Sequence, residues 1–443
     1  MNAPLSTARQ IGYACGMLGF STLMNIISVM LIYVYVPPSN SGLVPLIPQL
    51  VIWGVFSLLS LVVASGRLFD AISDPLVAYW SDRSQHSRGR RTPFMAWALL
   101  PAALFCLLIF IPYHYGQSSV NLWWLAAMQL GFYFFLTLYI IPFNALLPEL
   151  ATSPEEKIRL SSWLSFGYVI GIIVSSQTPL LADTYQSLFA LSSRNEAIQW
   201  AIGSLALFAA LVMILPIISI DEKEHCHSQP ITIPLRTAIR QTLSNRNFLL
   251  FVLAETFYFV SITLVVSGLL YYLSVLLKLE ESLGGFVMGT MVLVSLFFYP
   301  FVGKLTQRFG AKRIILFSFA WLGTLLGGIY FMGKMPIPPE AQIFGFAILA
   351  SLPLAFLGIL PYAIIAELAQ ADSQQTGQQK EALYFAVRNL ANKFGQTFGI
   401  MIFAILTLFG KDPDDDLGIR LSGALGCLLC FAAVLAFSRY KEK

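Results

Sequence analysis

Arg67, Asp70 and Asp74 lie at i, i+3 and i+7 within an apolar run, Gly66-Arg-Leu-Phe-Asp-Ala-Ile-Ser-Asp-Pro75. At ~100° per residue the three share one stripe of a helix. Two carboxylates one turn apart supply hard oxygen donors for a small cation, and without a cation or a proton between them they repel. Pro75 also leaves the carbonyl of Ala71 without its usual donor, which makes it either a further oxygen ligand or only the site of a kink. Ionisable groups inside a hydrophobic span are costly unless they face a partner, a cavity or water. The stripe therefore predicts a polar pathway through a helix bundle, and with it transport. Ser81-Asp82-Arg83 and Gly89-Arg90-Arg91-Thr-Pro93 follow as a basic loop at the mouth of the same span.

The rest of the chain must position that stripe, and its composition says in what medium. Of 443 residues 57% are hydrophobic and 11% charged, against about 25% charged in a soluble protein. Lipid is the main solvent. Twelve apolar runs of spanning length are predicted: approximately 11–36, 48–80, 93–113, 121–148, 162–182, 198–220, 248–277, 284–303, 312–333, 341–366, 383–409 and 418–438. The first is long enough to remain as a span rather than a cleaved signal. Alternate loops and both termini hold about 20 of the 27 Lys and Arg, which places the termini in the cytoplasm by the positive-inside rule. The predicted location is the cell (inner) membrane. The polar stretch 221–247 reads as a cytoplasmic linker between an N-terminal bundle, 1–220, and a C-terminal bundle, 248–443.

The halves echo one another. Pro75 leads to Asp82-Arg83 as Pro300 leads to Gln307-Arg308, and Gly89-Arg90-Arg91 is matched by Gly310 with Lys312-Arg313. Pro142-Phe143-Asn144-Ala145 runs to Glu149-Leu150-Ala151, and Pro361-Tyr362-Ala363 to Glu367-Leu368-Ala369. A duplicated six-helix bundle is an all-α membrane protein of the major facilitator fold, twelve helices in two pseudo-symmetric halves, with its substrate site near the midplane. Other classes find little support. No nucleophile and base pairing and no appended soluble domain points to an enzyme or a receptor, and nothing points to nucleic acid. Five cysteines show no disulfide framework; Cys427-x-x-Cys430 lies in an apolar helical run and reads as packing, and His225-Cys226-His227 is a weak metal hint in a polar loop. No cofactor or structural metal is predicted.

Several motifs resemble the glycoside-pentoside-hexuronide:cation symporters, the melibiose permease type. They are Arg67 to Pro75, Ser81 to Pro93, Pro142-Phe-Asn-Ala-Leu-Leu-Pro-Glu-Leu150, and Thr376-Gly377 to Glu381 with Tyr384-Phe-Ala-Val-Arg-Asn389 and Lys393-Phe394-Gly395. The resemblance implies that Asp70 and Asp74 are cation ligands with Thr137 from helix four, and that Arg67 and Lys393 contact substrate. The coupling ion would be Na⁺ or H⁺, with Li⁺ a further candidate, and the working unit a monomer in the bilayer. Further hydrogen-bonding or aromatic candidates for the solute are Asn25, Tyr33, Tyr139, Asn144, Trp163, Tyr258, Tyr384 and Gln396. Asp82, Arg83, Arg90, Arg91, Glu149, Arg308, Arg313 and Glu367 form the expected cytoplasmic gate, the two glutamates accepting Arg90, Arg91, Lys312 or Arg313.

The sequence also departs from that family. Ser21, Ile140 and Leu164 stand where its helix-one acid, helix-four acid and helix-five arginine are expected. The galactoside contacts are thus largely lost and the cation site lacks one carboxylate, so melibiose is not the expected solute. Two readings of Arg67, Asp70, Asp74 and Lys393 stand side by side: cation coupling, or a structural ion-pair cluster. The basic loop is read as a gate, as a topology signal, or as both; Glu255 is read as a cavity acid or a packing acid. The leading expectation is a symporter for a sugar or related polar solute, and the alternative a carrier of an amphipathic solute such as a lysolipid.

Overall fold

A computed structural model of the chain describes residues 5–48, 51–52, 56–84, 86, 89–150, 154–222, 245–376 and 381–441. Thirteen α-helices appear among them: α1 Thr7–Tyr35, α2 Leu58–Arg83, α3 Thr92–Phe110, α4 Val120–Leu150, α5 Pro154–Ser176, α6 Thr178–Leu188 and α7 Arg194–Ser219. Then come α8 Arg246–Tyr271, α9 Leu283–Phe309, α10 Ala311–Ile329, α11 Pro339–Thr376, α12 Glu381–Leu406 and α13 Leu417–Ser438. Ten are long and apolar enough to cross a membrane, and α5 with α6 makes an eleventh span bent by 42°. The bend falls at Gln177, just before Pro179, whose ring nitrogen has no proton to donate to the preceding turn. α2 is long enough to cross but carries Arg67, Asp70 and Asp74 in its apolar part, the charges that set it apart from the other spans.

Two boundaries differ from the sequence reading. The run expected at 48–80 is a helix only from Leu58; before it, Val51–Ile52 pairs antiparallel with Phe56–Ser57 as a short hairpin. The run expected at 162–182 becomes the longer bent pair α5–α6. Of the stretch read as a linker, 223–244 lies outside the described residues, and so does His225-Cys226-His227.

The chain divides into two compact units, the first running to residue 230 and including Glu281–Phe286, the second holding the remainder. In the first unit α1 packs on α5 and α7, α3 on α4 and α7, and α2 on α4. In the second, α8 packs on α12 and α13, and α10 on α13 and α11. Four of these five pairings in the first unit recur in the second. Polar clasps accompany it: Gln129 Nε2 donates to the Val63 carbonyl at 3.0 Å between α4 and α2, and Ser351 Oγ to the Met291 carbonyl at 2.9 Å between α11 and α9.

Two close helix–helix approaches rest on pairs of glycines four residues apart. On α5, a Cβ at Gly167 or Gly171 would lie 2.6 Å from the Ala14 carbonyl oxygen or 2.5 Å from that of Leu18 on α1. On α12, a Cβ at Gly395 or Gly399 would lie 3.0 Å from the Thr256 oxygen or 2.9 Å from that of Val260 on α8. In lipid, where apolar burial contributes little to helix association, such small-residue contacts carry much of the packing. We expect Gly171→Ala to lower stability by about 1–3 kcal/mol, since the opposing atom is backbone and cannot turn aside. A melting temperature in detergent equal to that of the parent would contradict this.

Candidate functional site

The first unit brings Asp74 and Thr137 together. Thr137 is fully buried on α4, and its Oγ1 donates to Asp74 Oδ1 of α2 at 3.4 Å. Asp74 is half-buried. Arg67 and Asp70 follow the α2 backbone on the same stripe; their side chains, with those of Asp82, Arg83 and Glu149, lie outside the described ones. Asp74 and Thr137 thus present a carboxylate oxygen and a hydroxyl from adjacent helices, hard donors of the kind a Na⁺ ion or a proton takes.

Around it, the three departures are packing positions. Ser21 is buried, its hydroxyl donating to the Tyr168 carbonyl at 2.7 Å, and Ile140 and Leu164 are buried too. Asn25 turns back on its own helix, its Nδ2 donating to the Ser21 carbonyl at 2.8 Å. Tyr139, a candidate solute contact, donates instead to the Met213 carbonyl at 3.0 Å in the core. Trp163 meets Phe166 edge-on, and Asn144 is exposed.

At the end of α2 the structure reveals a residue that the linker reading concealed. Glu222 is buried, and its carboxylate accepts from the backbone N–H groups of Arg90 (2.9 Å), Arg91 (2.9 and 3.1 Å) and Thr92 (3.0 Å), and from Thr92 Oγ1 (3.0 Å). These are the orphan donors of the α3 N-terminus, where a negative charge is also favoured by the helix dipole. Gly89, with φ +114, takes the left-handed turn that lets the chain pass over this carboxylate, where a side chain would collide with it. The Arg91 guanidinium is buried and donates to the Ala145 carbonyl of α4. Of the other gate candidates Arg308, Arg313 and Glu367 are exposed, Arg308 lying over the Phe309 ring, while Lys312 donates to the Tyr440 carbonyl at 2.6 Å.

Opposite this end, Glu281 accepts from the Tyr33 hydroxyl and lies 3.6 Å from Arg194, which also pairs with Asp183. Burial holds the Glu281 carboxyl above the usual carboxylate range, outweighing Tyr33 and Arg194, which act the other way. A raised acid is protonated more readily in the fold than in the unfolded chain. Its contribution is therefore full below the unfolded value and is lost as pH rises through the folded one. We expect Glu281→Gln to flatten the rise of melting temperature on acidification through the range just above the ordinary carboxylate value. A slope identical to that of the parent would contradict it.

The second unit holds a buried ion pair. Arg388 of α12 donates Nε to Glu255 Oε2 at 2.7 Å and Nη2 to Oε1 at 2.6 Å, both side chains being 3% exposed. The guanidinium sits 4.2 Å from the centre of the Tyr362 ring of α11. Arg388 lies inside the predicted run 383–409, and Glu255 acquires a definite partner. Tyr258, also buried, follows Glu255 by one turn of α8, and Lys393 and Gln396 are half-buried on α12. Tyr384 is placed by packing, its hydroxyl accepting from Asn245 Nδ2 at 3.3 Å and its ring edge-on to Phe248. The pattern Arg388-x-x-x-Asn392 was the available signal for a functional face on α12, since residues four apart are neighbours on a helix.

Comparison with known proteins fits this arrangement. Residues 12–441 match the family described as MFS/sugar transport protein. The chain is 20% identical to the isoprimeverose transporter of Lactiplantibacillus pentosus over 78% of its own length and 71% of that relative's. It is 25% identical to the glucuronide carrier protein homolog of Escherichia coli (strain K12), over 84% of this chain and 80% of that one. Among solved structures it resembles the nucleoside transporter NupG with TM-score 0.66 at 12% identity, covering 98% of this chain and 100% of that one, a likeness of fold alone.

Proposed function

The chain belongs to the MFS/sugar transport protein family, as a glycoside-pentoside-hexuronide:cation symporter of the major facilitator superfamily, and from that premise we infer that it couples Na⁺ or H⁺ to the movement of a sugar or glycoside. It is a multi-pass membrane protein and a secondary transporter, not an enzyme. α2 is the twelfth span in this reading, the termini are cytoplasmic, and the membrane is the inner cell membrane.

The observation that carries coupling is the contact between Asp74 and Thr137, on the stripe that also bears Arg67 and Asp70. An empty carboxylate pair and a cation-loaded one favour different helix arrangements, and a ligand that binds one arrangement better shifts the equilibrium toward it. Coupling needs no more than that differential affinity. Arg67, Lys393, Asn144 and Gln396 remain the solute contacts of this reading.

Uptake into proteoliposomes tests it. Accumulation of a glycoside above the external concentration, dependent on a Na⁺ or a pH gradient, supports symport. Flux that only equilibrates removes coupling, and selective movement of lysophosphatidylcholine would replace the sugar with an amphipathic solute.

A further inference from the structure

Arg388 commits Nε and Nη2 to Glu255, while Nη1 is buried and has no hydrogen-bond partner among the described residues. One turn on, Asn392 is 9% exposed and its Oδ1 is likewise buried without a partner. A native fold rarely leaves buried polar atoms unmet, and each such group calls for a reason. Here a donor and an acceptor stand at i and i+4 on one face of α12. The pair offers what a sugar hydroxyl or two vicinal hydroxyls require, one group to accept from and one to donate to.

The charge at this place is already balanced. Glu255 holds the guanidinium in a bidentate pair, and the Tyr362 ring covers its face. An incoming carboxylate would meet Arg388 and the like charge of Glu255 together, whereas a neutral hydroxyl meets only the unmet N–H and C=O. We propose that Arg388 Nη1 and Asn392 Oδ1 form a solute subsite for neutral, polyhydroxylated ligands, with Glu255 acting as the residue that excludes anionic ones. This rests on the transport reading above and adds to it a discrimination between uncharged and acidic sugars. Both atoms are closed off from solvent in the conformation described, so the subsite is reached in another step of the alternating-access cycle.

The test is ligand-induced thermal shift on the purified full-length chain in detergent, with methyl β-D-glucoside, methyl β-D-glucuronide and lysophosphatidylcholine as probes. The first two differ only in the carboxylate. The parent is expected to bind the glucoside at least about tenfold more tightly than the glucuronide, and Asn392→Ala to weaken the glucoside by about tenfold or more. Glu255→Gln, which leaves the arginine charge uncompensated, is expected to reverse the order toward the glucuronide. Should that variant fail to fold, Glu255→Gln with Arg388→Gln removes both charges and is expected to bind the glucoside weakly without gaining the glucuronide. Equal glucoside affinity in the parent, Asn392→Ala and the double variant overturns the subsite while the sugar reading stands. Preference of the parent for the glucuronide overturns the neutral specificity. A shift with lysophosphatidylcholine alone overturns both the sugar reading and the subsite, and silence from every probe overturns the subsite, leaving the sugar reading to the uptake assay.

Discussion

Asp74→Asn is expected to abolish cation-dependent accumulation in proteoliposomes while leaving the protein folded and inserted. The variant keeps the volume of the side chain and its hydrogen bond from Thr137, which lies 3.4 Å away, but removes the charge. Loss of an outer-shell partner from a metal site costs about 10–100-fold in affinity, and loss of a direct oxygen ligand costs no less. Apparent cation affinity should therefore fall by about 100-fold or more for Asp74→Asn and Asp70→Asn, and by about tenfold for Thr137→Val. If both carboxylate variants accumulate solute with unaltered cation dependence, α2 does not carry the coupling ion and the stripe is a structural cluster.

The second large effect concerns stability. Arg388→Met leaves the Glu255 carboxylate buried without its cation, at a site where both partners are 3% exposed. Breaking a buried pair from one side typically costs about 3–5 kcal/mol, a large part of the 5–15 kcal/mol that holds an ordinary fold together. The expected result is a sharp loss of yield and of melting temperature in detergent. Adding Glu255→Leu should recover most of it, because replacing the whole pair by apolar groups removes two desolvation penalties together with one attraction. A single variant as stable as the parent would show that the pair contributes little; a double variant no better than the single one would show that packing, and not the stranded charge, is at fault.

The comparison of these two sites shows what kind of information each needs. The α2 stripe is local: three residues within one helix period, in a run whose hydropathy is itself a property of consecutive residues. The ion pair is not, since Glu255 and Arg388 are 133 positions apart. From sequence, Glu255 could be assigned to cavity or packing with equal justice, and nothing near Arg388 in the chain names its partner. Glu222 is a similar case. It belongs to a polar run with charged neighbours, and only the fold carries it to the backbone of Arg91, 131 positions away.

The sequence by itself determined that this is a bundle of membrane-spanning helices with repeated motifs in its two halves, and that α2 carries ionisable groups on one face. Hydropathy, helical period and repeated motifs are written in neighbouring residues, and lipid enforces them by leaving helices as the one open-chain way to satisfy the backbone. The tertiary structure alone decided which charges meet. It placed Thr137 against Asp74, turned Ser21 and Tyr139 into packing contacts, joined Tyr33 to Glu281, and set Arg388 on Glu255 with its Nη1 group left over. The physical reason is that the cost of a buried charge or an unmet hydrogen bond depends on atoms brought from distant parts of the chain. No stretch of sequence contains those atoms until the helices have packed.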